Sequence, residues 1–412
     1  MQRELNNGNC LGCGTRLPPA FLDLGRTPLA NSYLMPEQAE MPEAVFPLAV
    51  AYCNTCHLVQ LSERVPPADL FTEYAYFSSY SDSFANHARR MAASLTERFA
   101  LSSASRLVEA ASNDGYLLRY FREQGIQVLG VEPAHNVAAV ARAQGIPTIE
   151  EFFNTATAAT IAASAGRADL IIGNNVLAHV PAINDFMQAA AILMKPAGAA
   201  VFEFPYLGEL LERGEFDTIY HEHVFYYSLH AVAGLAARGN LELYDAEAHE
   251  VHGGSLRIFL QHPGVRERSP AIAAMMMAEQ YKGLLSPDYY KAFGSKAERI
   301  KHNLLGLLHQ LKAAGRRIAA YGAPAKGNTL LNYCGIGAGL IDFTVDRSPH
   351  KQGRLLPGSH LPIYAPEELL RRHPDYALIL PWNIASEIVG QQRSYLERGG
   401  RFIVPIPEPR IL

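Results

Sequence analysis

From about residue 71 onward, short apolar runs alternate with segments in which apolar positions recur every three or four residues. Such alternation predicts strands and helices in turn, the pattern of a parallel α/β sheet. Strands are expected at Arg106–Ala110, Gln127–Glu132, Thr148–Ile149, Leu170–Gly173 and Ala199–Phe204, with helices between them such as Val137–Gln144 and Asp185–Met194. After Gly239 the pattern becomes a hairpin, Leu241–Ala246 with Ser255–Leu260, followed by a helix from about Lys291 to Ala313. A second alternation begins at Arg317–Tyr321, passes through Gly322–Gly327 into a helix, and continues at Asp342–Val345, Tyr376–Leu380 and Arg401–Val404. The first 70 residues differ: they are rich in proline, with short strand-like runs at Pro47–Ala51 and Leu58–Leu61. Three units are therefore expected, at 1–70, 71–300 and 301–412.

Composition agrees with that division. A chain of 412 residues exceeds one ordinary core. Its 49% hydrophobic and 18% charged residues are those of a globular protein. A net charge of −4 with no Lys/Arg run gives no footprint for nucleic acid. Neither an apolar leader nor a run long enough to span a membrane is present, so a cytoplasmic protein with no membrane partner is expected. A monomer is expected, because the units can bury one another.

Four of the five cysteines form two C-x-x-C pairs, Cys10/Cys13 and Cys53/Cys56. In a cytosolic chain this pattern points to metal ligation rather than disulfides. Four thiolates suit tetrahedral Zn2+ in a closed, structural site. Cys334 lies in an apolar helical context and reads as a buried bystander.

In Leu107–Gly115 an apolar strand runs into a turn of small residues, Ala110-Ala111-Ser112-Asn113-Asp114-Gly115, and then a helix. A ligand at the carboxyl end of such a strand must come close to the backbone. The next strand ends in Glu132, about twenty residues on, where a carboxylate can accept ribose hydroxyls. The turn lacks the G-x-G-x-x-G that cradles a pyrophosphate, so S-adenosylmethionine, which has no phosphate, fits better than NAD. Asn174 and Asn175 follow the fourth strand and Phe153 follows the third, the last as a candidate adenine neighbour with core packing the equal alternative. Five parallel strands and a hairpin match the seven-strand, Rossmann-like order of class I methyltransferases.

The densest polar and aromatic constellation, Asp217–Tyr226, contains Tyr220, His221, Glu222 and His223 after the fifth strand. H-E-H lacks the spacing that puts two histidines on one helix face for a metal, so proton transfer is the better expectation.

Taken together, these segments resemble the nucleotide-sugar C-methyltransferases that methylate carbon 3 of deoxy-4-ketohexoses. The resemblance spans essentially the whole chain: the C-x-x-C pairs with Phe21–Gly25 between them, Tyr74–Ser79, Glu109–Gly115, Tyr220–His223, His252-Gly253-Gly254 and Tyr321–Lys326. It implies a zinc-binding N-terminal module, a central domain that binds S-adenosylmethionine, and a C-terminal Rossmann-like unit that helps bury a nucleotide sugar. By the same resemblance His223 matches the base, and Tyr76, His179, Tyr220 and Glu222 match residues around the sugar. Ala110-Ala111 stands where many methyltransferases carry glycine. A base of near-neutral pKa, a donor for the enolate oxygen and a nearby methyl donor are what such chemistry needs. Expected roles are His223 as base, Glu222 or Tyr220 orienting it, and Tyr76 or His179 facing the keto group. Glu109, Ser112, Asn113, Asp114, Gly115, Glu132, Phe153, Asn174 and Asn175 are expected at the cofactor, and Ser79, His252, Tyr321, Lys326 and Arg354 at the substrate. The alternatives are the same fold acting on another small acceptor, an inactive zinc-dependent scaffold, and an NAD enzyme, which the missing G-x-G-x-x-G in Gly322–Gly327 disfavours.

Overall fold

The computed structural model describes residues 8–65, 82–250 and 253–412. Tyr76, Ser79 and His252 lie outside the described residues. The described strands are β1 (Leu22–Thr27), β2 (Phe46–Tyr52), β3 (Val59–Leu61), β4 (Arg106–Ala110), β5 (Gln127–Val131), β6 (Thr148–Ile149), β7 (Ala168–Asn174), β8 (Met194–Pro205) and β9 (Phe225–Tyr226). They continue with β10 (Glu242–His249), β11 (Ser255–Gln261), β12 (Ile318–Tyr321), β13 (Thr344–Val345), β14 (Ile363–Tyr364), β15 (Tyr376–Ile379), β16 (Arg401–Val404) and β17 (Arg410–Ile411).

The central sheet has seven strands in the order β10-β11-β8-β7-β4-β5-β6. β4 pairs in parallel with β5 and β7, and β7 with β8, whereas β11 runs antiparallel to β8 and to β10. This is the class I methyltransferase order, with the predicted hairpin as its antiparallel edge. β4 and β7 carry the apolar stretches Leu107-Val108 and Leu170-Ile171-Ile172 at their centres because both faces are covered, as parallel strands require. Helices between strands start at side-chain caps where the sequence supplies them: Asn154 accepts from Thr157 N at 2.9 Å and Ser228 from Ala231 N at 3.2 Å.

On one face of this sheet, paired residues Asn174, Glu203 and Arg257 form a polar row under the helix Asp82–Arg98. Arg257 Nη2 lies 2.7 Å and His87 Nε2 2.6 Å from Glu203 carboxylate oxygens. Burial alone would raise this carboxyl, but the His87 and Arg257 contacts outweigh it and hold Glu203 at about 2.

The C-terminal sheet, β14-β13-β12-β15-β16-β17, is parallel except for β17 and forms the smaller Rossmann-like unit. Gly327 sits at the first turn of the helix Ala325–Cys334, where a Cβ would stand 2.7 Å from Leu380 Cβ. Only glycine lets that helix lie so close to the sheet. The 27-residue helix Pro287–Ala313 runs unbroken through residue 300 and leads into this unit.

The N-terminal sheet is completed from outside its own segment. Its order is β1-β2-β3-β9, and β9 belongs to the stretch directly after His223. Val59 pairs with Tyr226, Gln60 with Phe225, and Leu61 N donates to Val224 O at 2.9 Å. Side chains of this stretch divide between two cores. Phe216, Ile219 and Tyr226 pack with the N-terminal module, the long helix and the C-terminal unit. Val224, Phe225 and Tyr227 pack with the central domain. No described helix is long and apolar enough to cross a membrane.

Candidate active site

Cys10 and Cys56 sulfurs are 3.5 Å apart, Cys13 and Cys53 3.6 Å, and all four lie within 4.8 Å of one another. None forms a disulfide. A tetrahedral zinc with Zn–S near 2.3 Å puts its sulfurs about 3.8 Å apart, so the four fit the ion without rearrangement. Each knuckle closes on its own main chain: Gly14 N donates to Cys10 O at 2.8 Å and His57 N to Cys53 O at 2.9 Å. Asn184 of the central domain donates to Leu11 O and Gly12 O, and Gln60 accepts from Leu11 N. Among the described residues these thiols are the one group placed to hold a metal, and the H-E-H segment is not.

At the carboxyl ends of β4 and β7, buried polar groups converge. Both Glu109 carboxylate oxygens, Ser112 Oγ, and the side-chain oxygens of Asn174 and Asn175 are buried with no hydrogen-bond partner among the described residues. Glu132 accepts from Asn113 N and Ala134 N, each at 2.9 Å, which ties the end of β5 to the turn after β4. Each carboxylate oxygen keeps a second lone pair for a ligand. Burial, then the nearby Asp114 and Glu132 charges, pushes Glu109 well above the usual carboxylate range. Buried acids and orphaned acceptors at one strand edge are what a cationic, hydroxyl-bearing ligand satisfies, and S-adenosylmethionine is one. Ala111, in glycine's usual place, takes φ 55° and Asn113 φ 50°, so the turn keeps its left-handed shape at a steric cost. Gly130 makes room: a Cβ there would sit 2.3 Å from Ser112 Oγ. Phe153 packs on Phe186 at a centroid distance of 5.0 Å inside the core, whereas the neighbouring Phe152 is half exposed.

The H-E-H residues point to three different partners. His221 Nε2 donates towards Phe46 O and Pro47 O of β2, at 3.3 and 3.2 Å, and burial lowers this imidazole to about 4. Glu222 Oε1 accepts from Asn31 Nδ2 of the N-terminal module at 2.7 Å. His223 Nδ1 lies 3.0 Å from Thr218 O and its Nε2 2.7 Å from the Tyr220 hydroxyl. A carbonyl can only accept, so Nδ1 carries the proton and Nε2 presents a lone pair to Tyr220. Of the two expected orienting groups, Tyr220 touches the imidazole and Glu222 does not. His179, on the turn after β7, brings its ring within 4.8 Å of His223, and burial lowers it to about 4, so it is neutral. Burial raises Glu222 to about 7, with Asn31 opposing the shift.

The C-terminal unit reaches the same segment. Trp382 Nε1 donates to buried Asp217 Oδ2 at 2.7 Å, and Phe216 packs on Tyr333. Lys326 Nζ lies 4.3 Å from the Trp382 ring centroid, and its charge acts on Glu215 and Asp217. Burial still raises Glu215 to about 8. The Tyr321 hydroxyl accepts from Gln392 at 3.2 Å. Arg354 is exposed on a turn, and Lys351 is the cation that meets the loop after β12, through Ala323 O at 2.8 Å. At the end of β13, Asp346 repeats the Glu132 pattern, accepting from Ala323 N of that loop and from Ser348 N. Asn31, Trp382 and Lys351 were not expected from the sequence.

The Trp382–Asp217 bond is open to a direct test. Trp382→Phe removes the side-chain donor to buried Asp217 and is expected to cost about 1–3 kcal/mol in urea unfolding. A cost below about 0.5 kcal/mol would mean that the contact holds nothing.

Residues 10–71 match the family described as "Putative zinc binding domain", 84–246 the family "Methyltransferase domain", and 250–407 the family "C-methyltransferase C-terminal domain". C-methyltransferase NovU of Streptomyces niveus is 39% identical over 404 residues, covering 98% of this chain and 96% of that protein. Among solved structures, magnesium protoporphyrin IX methyltransferase (ChlM) of Synechocystis, with bound SAH, aligns at 13% identity and a TM-score of 0.35 over 43% of this chain and 83% of its own. The CcbJ methyltransferase of Streptomyces caelestis aligns at 14% identity and 0.35 over 47% and 95%.

Proposed function

The chain belongs to the C-methyltransferase family and is an S-adenosylmethionine-dependent C-methyltransferase with a zinc-binding module, and from that premise we propose that it methylates carbon 3 of a nucleotide-linked 4-keto-deoxysugar. The observation that carries this reading is the Tyr220–His223 pair, with Nε2 held basic by Thr218 O, beside a neutral His179. That is the equipment for removing a hydrogen next to a ketone.

Glu109, Ser112, Glu132, Asn174 and Asn175 hold the cofactor in this reading, through the buried acceptors at the ends of β4, β5 and β7. S-Adenosylmethionine supplies an electrophilic methyl group on a sulfonium. The Tyr220–His223 pair takes the carbon-3 hydrogen as a unit, with Nε2 the final proton acceptor. Positive charge on the ring is then stabilised by Thr218 O, which the turn Phe216–Thr218 holds in place. His179, a neutral imidazole beside His223, is assigned to the keto side of the sugar. Carbon 3 of the enolate attacks the methyl group, and proximity makes up much of the remaining barrier. The nucleotide is assigned to the C-terminal unit, with Tyr321, Lys326 and Arg354 as its expected contacts. Of the three, Lys326 is the one that faces the catalytic segment. Tyr76, Ser79 and His252, outside the described residues, are proposed around the sugar.

The test is mass spectrometry after incubation with S-adenosylmethionine and a panel of dTDP-, GDP- and CDP-linked 4-keto-deoxysugars. One added methyl group with loss of the carbon-3 hydrogen is the expected product. No product from any sugar, with cofactor binding intact, would overturn the acceptor assignment. Glu132→Ala removes the acceptors for two ribose hydroxyls and is expected to raise the KM for S-adenosylmethionine roughly tenfold to hundredfold with a smaller change in kcat. An unchanged KM would take Glu132 out of the cofactor site.

A further inference from the structure

Glu222 is almost wholly buried, and among the described residues the only hydrogen bond to its carboxyl comes from Asn31, 191 residues earlier in the chain. Asn31 is itself fixed from both sides. Ala30 O accepts from Asn328 Nδ2 at 2.6 Å, and the Tyr33 hydroxyl donates to Ala323 O at 2.6 Å and lies 3.4 Å from Asn31 Oδ1. Residues 30–33 therefore cross from the zinc-binding module to the loop after β12, and drop one amide onto the catalytic segment on the way.

We propose that Asn31 is a positioning residue for methyl transfer: its amide clamps one carboxyl oxygen of Glu222 and leaves the other to the substrate. The inference rests on the reading of this site as the place of methyl transfer. It adds a role for the zinc-binding module, which completes the site through this residue as well as supporting it.

The chemistry follows from the bond. An amide N–H stabilises the ionised carboxylate, while burial favours the neutral acid, and the two opposing effects leave Glu222 near neutrality at about 7. A carboxyl poised there can donate or accept a proton beside the substrate, provided that it does not rotate. The groups around it are Tyr33 of the module, His179 of the turn after β7, and Tyr220, His221 and His223 of its own segment. Lys351 and Asp346 of the C-terminal unit stand behind Tyr33. The Glu222 carboxyl takes its hydrogen bond from the Asn31 amide, and the clamp depends on it.

Asn31→Leu, Asn31→Asp and Asn31→Gln are compared in the zinc-loaded full chain. Asn31→Leu and Asn31→Asp are expected to lower kcat roughly tenfold or more with the KM for S-adenosylmethionine unchanged, and Asn31→Gln, which keeps the amide, to recover part of the loss. Losing the donor, or setting a second acid beside Glu222, raises the Glu222 pKa, so the limb of the pH profile that Glu222 governs moves to higher pH. In a Glu222→Gln background, Asn31→Leu is expected to cost little more, because the two act as one unit. The carboxyl infrared band lost in Glu222→Gln gives a reading without turnover: its titration midpoint rises in Asn31→Leu. Wild-type kcat and an unmoved midpoint in folded Asn31→Leu and Asn31→Asp would overturn the proposal. A wild type that methylates no keto sugar, together with a midpoint that rises in Asn31→Leu, would instead sink the acceptor assignment and leave the clamp standing.

Discussion

Removing the metal from the four-thiolate cluster is expected to abolish methyl transfer while leaving S-adenosylmethionine binding largely in place. Structural zinc contributes about 10–16 kcal/mol to small modules, as much as the whole stability of an ordinary domain. Without it, four thiols held within 4.8 Å have nothing to draw them together, and both knuckles open. The damage would not stop there. β3 lies between β2 and β9, so losing the module frees β9, which begins two residues after His223. His221 loses Phe46 O and Pro47 O, and Glu222 loses Asn31. The turn after β4 and Glu132 are tied to each other by their own hydrogen bonds, which do not pass through the module, although Cys10, Cys53, Cys56 and Leu58 share the central core. Chelation, or Cys53→Ser, followed by zinc analysis, calorimetric binding of the cofactor and activity, checks this. Full turnover by a zinc-free chain would show that the module is an appendage.

His223→Gln is the second large effect. General acid–base groups supply about 10²–10⁴ in rate, and a loss in that range is expected in kcat with the cofactor Kd unchanged. Glutamine can still donate to Thr218 O, so the fold of the turn is preserved while the basic nitrogen is lost. Tyr220→Phe is expected to fall in the same direction, and the double variant to be little worse than His223→Gln alone, because two members of one proton path are not additive. A His223→Gln protein with most of its turnover would move the base elsewhere, Glu222, held at about 7, being the alternative.

The sequence was most informative where chemistry is local. The C-x-x-C knuckles, the turn after β4 with Glu132 at the end of β5, and the edge hairpin all lie within short windows whose pattern can be read directly. The seven-strand order followed from counting them. What escaped depends on long separations. Asn31 meets Glu222 across 191 positions and Trp382 meets Asp217 across 165, with no pattern in either segment to announce the contact. β9 is two residues long, and β1 is broken in register between Asp23 and Arg26, so neither carries a readable alternation. Glu222 was set beside His223 by adjacency in sequence, whereas neighbouring residues in this turn face different units. Phe153 shows the same limit: an aromatic after a strand reads equally as ligand wall or core, and packing on Phe186 supports the core.

Domain organisation now has a mechanical meaning. The segment from Glu215 to Tyr226 is held by the zinc-binding module through β3, Phe46 and Asn31, by the C-terminal unit through Trp382 and Tyr333, and by the central core through Val224 and Phe225. Few other stretches pack into both large cores at once. A site assembled this way is rigid only when all three units are in place, which is what precise proton removal beside a bound methyl donor requires.

The central claim is that the Tyr220–His223 pair removes the hydrogen from carbon 3, and isotope exchange tests it without methyl transfer. The enzyme is incubated in deuterated water with S-adenosylhomocysteine and the 4-keto sugar it accepts, and deuterium at carbon 3 is followed by mass spectrometry. Wild type is expected to incorporate one deuterium, and folded, cofactor-binding His223→Gln essentially none. Exchange at the wild-type rate in His223→Gln would contradict the account, since the hydrogen would then leave by a route that does not involve this pair.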